Sequence, residues 1–295
     1  HSVKELRSIG IQPDILLCRG KNAINQSLKK KIALFTNVSS EAVFSAVDAK
    51  SIYDIPIMFS EQGIDKFMMK SFKIKDKKLN LKPWKDYKKK VEKCKNKIKI
   101  AMIGKYVDLV DSYKSLNEAL YHAGVINNRI VDIVYLDSEK LNKRNIKQLS
   151  KMDGILVPGG FGDRGIEGKI LAAEFARVND IPYFGICLGM QISVIEFARN
   201  VMKLNKANST EFNKNTKYPV VALVEEWREK SGKRILADKS KMGGTMRLGS
   251  QECIINKDSL AYKMYSKLKI AERHRHRYEV NGNLVGDFEK NGLAF

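Results

Sequence analysis

Phe184-Gly185-Ile186-Cys187-Leu188-Gly189-Met190-Gln191 is a short apolar run broken at Gly-x-Cys-x-Gly, and an apolar segment of helical spacing follows at once, to Asn200. A strand that turns directly into a helix strains the backbone of its central residue, lifts that side chain above the sheet and needs small neighbours where the chain doubles back. The same turn puts the Cys187 sulfur at a helix amino terminus, where orphan N–H groups and the helix dipole lower a thiol's pKa. A lone cysteine is ordinarily a small buried hydrophobe. Glycines on both sides are wasteful for a core position, so the segment reads as an elbow carrying the nucleophile Cys187.

The chain around this elbow alternates regularly. Ile98–Gly104, Ile130–Leu136, Asp153–Val157 and Pro182–Ile186 have strand character. Ser112–Gly124, Leu141–Leu149, Gly168–Val178 and Leu188–Asn200 have helical spacing. Strands separated by helices of this length predict βαβ units and a mainly parallel sheet with helices on both faces. Beyond Pro219, the segments Val220–Val224, Thr245–Leu248 and Arg273–Val280 alternate like strands of an antiparallel extension.

A second glycine-rich loop, Val157-Pro158-Gly159-Gly160-Phe161-Gly162-Asp163-Arg164-Gly165, ends the strand before the elbow strand. Gly160 to Gly165 formally fits GxGxxG, so a dinucleotide site competes. Three features weigh against it. The strand is third in its sheet rather than first, Asp163 would crowd the pyrophosphate, and no acid stands on a strand end about twenty residues on. In the other reading, N–H groups of Gly160 and Phe161 join that of Leu188 as an oxyanion hole facing Cys187. The pair of loops then describes cysteine-based acyl transfer.

The 295 residues suffice for roughly two domains, and no apolar run approaches the ~20 residues of a membrane span. The chain carries 54 Lys+Arg against 33 Asp+Glu, a net charge of +21. Between Lys70 and Lys99, fourteen lysines face three acids, a local net of +11. Lysine far outnumbers arginine, whereas base and phosphate recognition favours arginine's fork. A solvated basic linker over 70–96 is therefore expected rather than a nucleic-acid site. Cys18, Cys94, Cys187 and Cys253 show no CxxC spacing, which suits a reduced, cytoplasmic compartment.

The pair PGGFGDRG and GICLGMQ resembles the class I glutamine amidotransferases. HSVKELRSIGIQPDILLCR, KIALF, SIYDIP, GKYVDLVDSYKSLNEAL, GGTMRLG and RHRHRYEVN, in that order, resemble the CTP synthase family over nearly the whole chain. The resemblance implies a flavodoxin-like amidotransferase domain over 97–295. Before it would come the tail of a P-loop-type α/β synthetase (amidoligase) domain over 1–69 and the linker. It implies that Cys187 attacks the glutamine side-chain amide and that Gly160 and Leu188 hold the oxyanion. Gly189, Met190, Gln191, Glu211 and Arg275 would complete the glutamine site, with Arg273 and Arg277 as alternatives to Arg275. A period of two puts Arg273, Arg275 and Arg277 on one face and His274 and His276 on the other. Taken bare, that segment could equally be a solvated basic edge or the start of a His-x-His metal site. The resemblance also assigns Lys31 to UTP or CTP, and Val47, Asp48 and Ala49 to ATP. It brings Mg2+, ATP, GTP as an allosteric activator and a homotetramer with the family, and neither nucleic acid nor membrane as a partner. Another class I amidotransferase is the nearest alternative.

Two motifs are missing. The only histidines are His1, His122, His274 and His276, and none precedes the Pro-Glu that completes the class I triad. No GxxxxGK[ST] loop occurs. The chain opens at His1 and stops at Phe295 without a helix cap or polar tail, so a piece of a longer enzyme is expected, one that binds glutamine and turns it over poorly.

Overall fold

The computed structural model describes residues 1–75, 79–105, 107, 110–223, 226–228, 234–236 and 246–295. The chain divides into two compact units, His1–Asn96 with Val125–Arg129, and Lys97–Gly124 with Ile130–Phe295.

In the first unit, α1 (Ser2–Ser8) precedes β1 (Leu16–Gly20), α2 (Gln26–Thr36) and β2 (Val43–Val47). The two strands pair in parallel from Leu16↔Val43 to Gly20↔Val47, with α2 as their crossover. Asn25 caps α2 by accepting from Leu28 N at 2.8 Å, and Asn37 closes it in the left-handed region. Helices α3 (Ile55–Glu61) and α4 (Ile64–Ser71) follow. Gln62, between them, braces β2 twice, accepting from Ser45 N at 2.9 Å and donating to Ser45 O at 2.8 Å.

Within the stretch expected to be a solvated basic linker, the structure has a helix, α5 (Lys82–Lys93), opened by Pro83. Lysines hide its signal. Trp84 and Tyr87, three apart and so on one face, both pack on Tyr53, at 6.0 and 4.8 Å between ring centroids. Lys88 pairs with Asp54 at 2.8 Å.

In the second unit, β3 (Asn96–Gly104), β4 (Arg129–Asp137), β5 (Gly154–Val157) and β6 (Tyr183–Gly185) form one sheet in the order β4-β3-β5-β6. The β3–β5 and β5–β6 pairs are parallel. Helix α6 (Lys114–Ile126) links β3 to β4, α7 (Ile166–Val178) links β5 to β6, and α8 (Leu188–Asn200) leaves β6. The order reverses between β3 and β5, and in open α/β sheets ligands bind at such a switch, outside the carboxyl ends of the strands. One core packs Ile103, Leu149, Ile155, Val157 and Ala172, and another packs Leu188, Ile192, Ile195, Val220, Val221 and Phe288. Arg177 forks onto Glu196, which is 2% exposed, with bonds of 2.7–3.1 Å, so the buried carboxylate is paired.

The helix expected over 141–149 is instead a run of turns ending in a 3-10 helix, Ile146–Lys151. Asparagines cause this. Asn145 Oδ1 accepts from Asn142 N, Asn142 Oδ1 accepts from Arg144 N, and Asn145 Nδ2 donates to Lys140 O, all within 3.0 Å. Such bonds compete with the helical ladder, and Leu141, Ile146 and Leu149 are buried from turns.

The antiparallel extension is present. A three-stranded sheet has the order β13-β8-β7, from β7 (Asn208–Ser209), β8 (Pro219–Leu223) and β13 (Tyr278–Val280). β9 (Glu226–Arg228) and β10 (Arg234–Leu236) pair antiparallel, as do β11 (Arg247–Ile254) and β12 (Lys269–His276). Helix α9 (Leu260–Tyr265) joins the latter pair, and α10 (Val285–Lys290) buries Phe288. Val224 and Thr245, given above to strands, lie outside the described residues, as do Gly243 and Gly244 of GGTMRLG. The single strand expected over 273–280 breaks at Arg277, so the period of two ends at His276. Among the described residues no helix is long and apolar enough to cross a membrane.

Candidate functional site

Cys187 stands between β6 and α8 with φ 55° and ψ −106°, a left-handed conformation that a residue with a Cβ rarely adopts. The strand–turn–helix geometry expected from Gly-x-Cys-x-Gly is what imposes it. Ile186 N donates to Val157 O at 3.0 Å, continuing the β5–β6 ladder up to the turn. Gly189 N then donates back to Ile186 O at 2.9 Å. The turn is tight enough that a Cβ on Gly185 would collide with the backbone of Gly189, and one on Gly189 with the carbonyl of Val157. Tyr183, buried below, donates its hydroxyl to Gly189 O at 2.7 Å.

The Cys187 side chain opens onto a cavity of about 390 Å³. Gly160, Gln191, Glu211 and Arg275 also line it, so five residues named from the sequence, spread over more than one hundred positions, come together. Leu188, Gly189 and Met190 form the first turn of α8 beside Cys187 and are not among the lining residues. Arg277 lines the cavity as well, whereas Arg273 does not, which narrows the arginine alternatives to Arg275 and Arg277. Phe161, Met246, His276 and Tyr278 complete the lining. The sequence reading gave Phe161 a backbone role in the oxyanion hole and gave Met246, His276 and Tyr278 no place in the pocket. His276 and Tyr278 belong to the RHRHRYEVN block, whose alternation had suggested that the histidines face away from the arginines.

The polar contacts are specific. Gln191, 4% exposed, donates from Nε2 to Tyr278 O at 2.9 Å and so ties α8 to β13. Glu211 Oε1 accepts from Gly162 N at 2.9 Å, while Glu211 N is held by Ser209 Oγ at 3.1 Å. Lys105, just past β3, donates from Nζ to Phe161 O. Arg247 Nη2 meets Glu279 Oε2 at 2.6 Å. Burial, then the neighbouring His274 and Arg247, lower the pKa of His276.

The electrostatics of the thiol correct the sequence expectation. Burial pushes the Cys187 pKa above its ordinary value, and the Glu211 carboxylate pushes the same way. The nearby backbone N–H groups of Leu188 and Gly160 favour the thiolate and oppose the rise without cancelling it. These are the two N–H groups the resemblance implies for the oxyanion. A raised pKa means the thiolate fraction keeps growing with pH beyond the point where a free thiol saturates. Alkylation of Cys187 by iodoacetamide is therefore expected to rise about tenfold per pH unit up to and past pH 9. Peptide mass spectrometry of the Cys187 adduct across pH 6–10 checks this, and levelling off near pH 7 contradicts it.

In the first unit, Lys31 lines a cavity of about 530 Å³ with Leu16, Cys18, Leu28 and Ile32. Val47 ends β2, exposed Asp48 pairs with Arg19 at 3.3 Å, and Ala49 is exposed; none of the three lines that cavity. Among the described residues, no group of three or more His, Cys, Asp or Glu side chains is placed to hold a metal ion.

Residues 108–295 match the family Glutamine amidotransferase class-I, and residues 1–74 match the family CTP synthase N-terminus. The fold is similar to that of the Trypanosoma brucei CTPS glutaminase domain solved with bound acivicin, with a TM-score of 0.57 and 43% sequence identity. That match covers 66% of this chain and 72% of the other. The parallel sheet, the cysteine elbow and the family match over 188 residues define a class I glutamine amidotransferase. With the amino-terminal match and the trypanosomal relative, the chain belongs to the CTP synthase family, the glutamine-hydrolysing ligases that make CTP.

Proposed function

We propose that Cys187 is the nucleophile that releases ammonia from glutamine. Its sulfur adds to the side-chain amide carbon, the C–N bond breaks, and the nitrogen leaves as ammonia with the thiol's proton. A glutamyl thioester remains, and water cleaves it to glutamate. The N–H groups of Gly160 and Leu188, close to the sulfur, stabilise the oxyanion formed in each addition. Glu211 attracts the substrate's α-ammonium group. Arg275, or Arg277 beside it, takes the α-carboxylate. Gln191 lines the pocket from α8, and Gly189 and Met190 flank the substrate from the first turn of that helix.

Residues 1–69 are read as synthetase-domain chain and 97–295 as the glutaminase domain. The ammonia would displace phosphate from UTP activated by ATP at its 4-oxygen, with Lys31 toward UTP and Val47, Asp48 and Ala49 toward ATP. Use of Mg2+, activation by GTP, a homotetramer and a cytoplasmic location belong to the same reading.

The observation that carries the proposal is the strained Cys187 at a helix amino terminus, in a cavity that also presents Gly160, Glu211 and Arg275. The test is incubation with 6-diazo-5-oxo-norleucine, an electrophilic glutamine analogue, followed by intact and peptide mass spectrometry. One adduct on the Cys187 peptide, prevented by excess glutamine, is the expected result. Adducts spread over Cys18, Cys94 and Cys253 with no protection by glutamine would overturn it.

A further inference from the structure

We propose that Lys105 is a positioning residue for the oxyanion loop, acting with Glu211 as a two-ended clamp on a single peptide unit. The carbonyl of Phe161 and the N–H of Gly162 belong to the same peptide group. Lys105 Nζ donates to that carbonyl, and Glu211 Oε1 accepts from that N–H at 2.9 Å. A cation holds one end of the peptide dipole and an anion the other, and both bonds are charge-assisted.

The clamp sits where the loop is otherwise free to turn over. Gly162 has φ +76°, and a Cβ there would meet nothing within 4 Å, so packing does not fix the peptide plane. A glycine-flanked peptide of this kind reverses its C=O and N–H directions with small backbone changes. Reversal here would aim the carbonyl at the Glu211 carboxylate and the N–H at the Lys105 ammonium, both repulsive. The Gly160 N–H lies two peptide units earlier in the same loop, and Gly160 lines the cavity with Cys187, so holding this peptide restrains the loop that carries that donor. The Lys105 stem passes close by, its Cε 4.0 Å from where a Gly160 Cβ would be. The two clamp residues come from different sheets, Lys105 from the end of β3 and Glu211 from the segment after β7. Neither GKYV nor the isolated Glu211 reveals this pairing in the sequence.

The inference deepens the glutaminase reading and rests on it, so the test carries one arm that needs no glutamine chemistry. Hydrogen–deuterium exchange over residues 158–164 is compared among the parent chain, Lys105→Met and Lys105→Arg. Labelling by 6-diazo-5-oxo-norleucine is followed as a limiting rate and a half-saturating concentration. In Lys105→Met the limiting rate is expected to fall about tenfold or more, and the half-saturating concentration to move less than about threefold, because a misaimed oxyanion donor costs rate rather than binding. Exchange over 158–164 rises while that of α8 stays as in the parent, and Lys105→Arg restores both readouts. Unchanged exchange in Lys105→Met, or a loss that lies wholly in the half-saturating concentration, overturns the clamp. If the parent chain takes no label, the glutaminase reading fails, and the exchange arm still decides whether Lys105 fixes the loop.

Discussion

Cys187→Gly is expected to take no adduct from the glutamine analogue and to be more stable than Cys187→Ala. Both substitutions delete the thiol, so both abolish labelling at this position. They differ in the backbone. At φ 55° and ψ −106°, a Cβ sits against the neighbouring peptide, a strain of about 1–3 kcal/mol that glycine does not feel. Glycine's greater unfolded-state freedom returns about 0.5–1 kcal/mol of this, leaving a net gain of about 1 kcal/mol over alanine. For a cooperative unit of some 200 residues, that is about 2–4 °C in the melting temperature. Thermal unfolding of the two variants side by side checks it. Equal melting temperatures, or a less stable glycine variant, would mean that the elbow holds no strain. The stabilised variant is also the inert one, because the conformation that costs stability is what lifts the sulfur into the cavity.

How much of this was legible beforehand depends on the range of the interaction that fixes each feature. Gly185, Cys187 and Gly189 could be read as an elbow because the turn's requirements fall on five consecutive residues. The β5, α7, β6 and α8 segments were equally readable, since their periodicity is local and their faces are buried by the same sheet. The Asn142–Asn145 segment was misread as a helix because Leu141 and Leu149 suggest one, while the side-chain bonds of the asparagines decide otherwise. Trp84 and Tyr87 were masked by the lysines around them, and only their stacking on Tyr53 makes α5 amphipathic in fact.

In the site, the type of chemistry was local and the electrostatics were not. Loop geometry pointed to N–H groups of Gly160, Phe161 and Leu188 around Cys187, and the N–H groups of Leu188 and Gly160 are close enough to favour the thiolate. The direction of the thiol's pKa was not legible, because burial and Glu211, twenty-four residues away, outweigh the helix terminus. The helix dipole is worth about 0.3–1 kcal/mol at an exposed site, less than desolvating a thiolate in a partly closed cavity. His276 and Tyr278 went unassigned for a related reason. They approach Cys187 only because the strand breaks after His276 and restarts as β13, and no spacing rule anticipates that break.

The same closeness of packing makes Gly189→Ala a severely damaging small substitution. The added methyl would overlap the carbonyl oxygen of Val157 and lie 2.9 Å from its carbon and 3.0 Å from its Cβ. Relief cannot come from a side chain swinging away, because the obstacle is backbone at the end of β5. All four residues of that strand are buried, and its last bond to the elbow, Ile186 N to Val157 O, fixes the carbonyl in place. Moving α8 outward instead would pull Leu188, Ile192 and Ile195, all at most 1% exposed, out of the core and break the Tyr183 bond to Gly189 O. Helix propensity favours alanine by about 1 kcal/mol, far short of a backbone collision combined with core separation, a loss of about 4–5 kcal/mol or more. Gly282→Ala, where a Cβ meets nothing within 4 Å and φ is ordinary, is the matched control and should unfold like the parent. Chemical denaturation of the two variants separates the outcomes. If Gly189→Ala unfolds within about 1 kcal/mol of Gly282→Ala, the strand and helix are not in contact at the elbow, and Cys187 is not held where the cavity requires it.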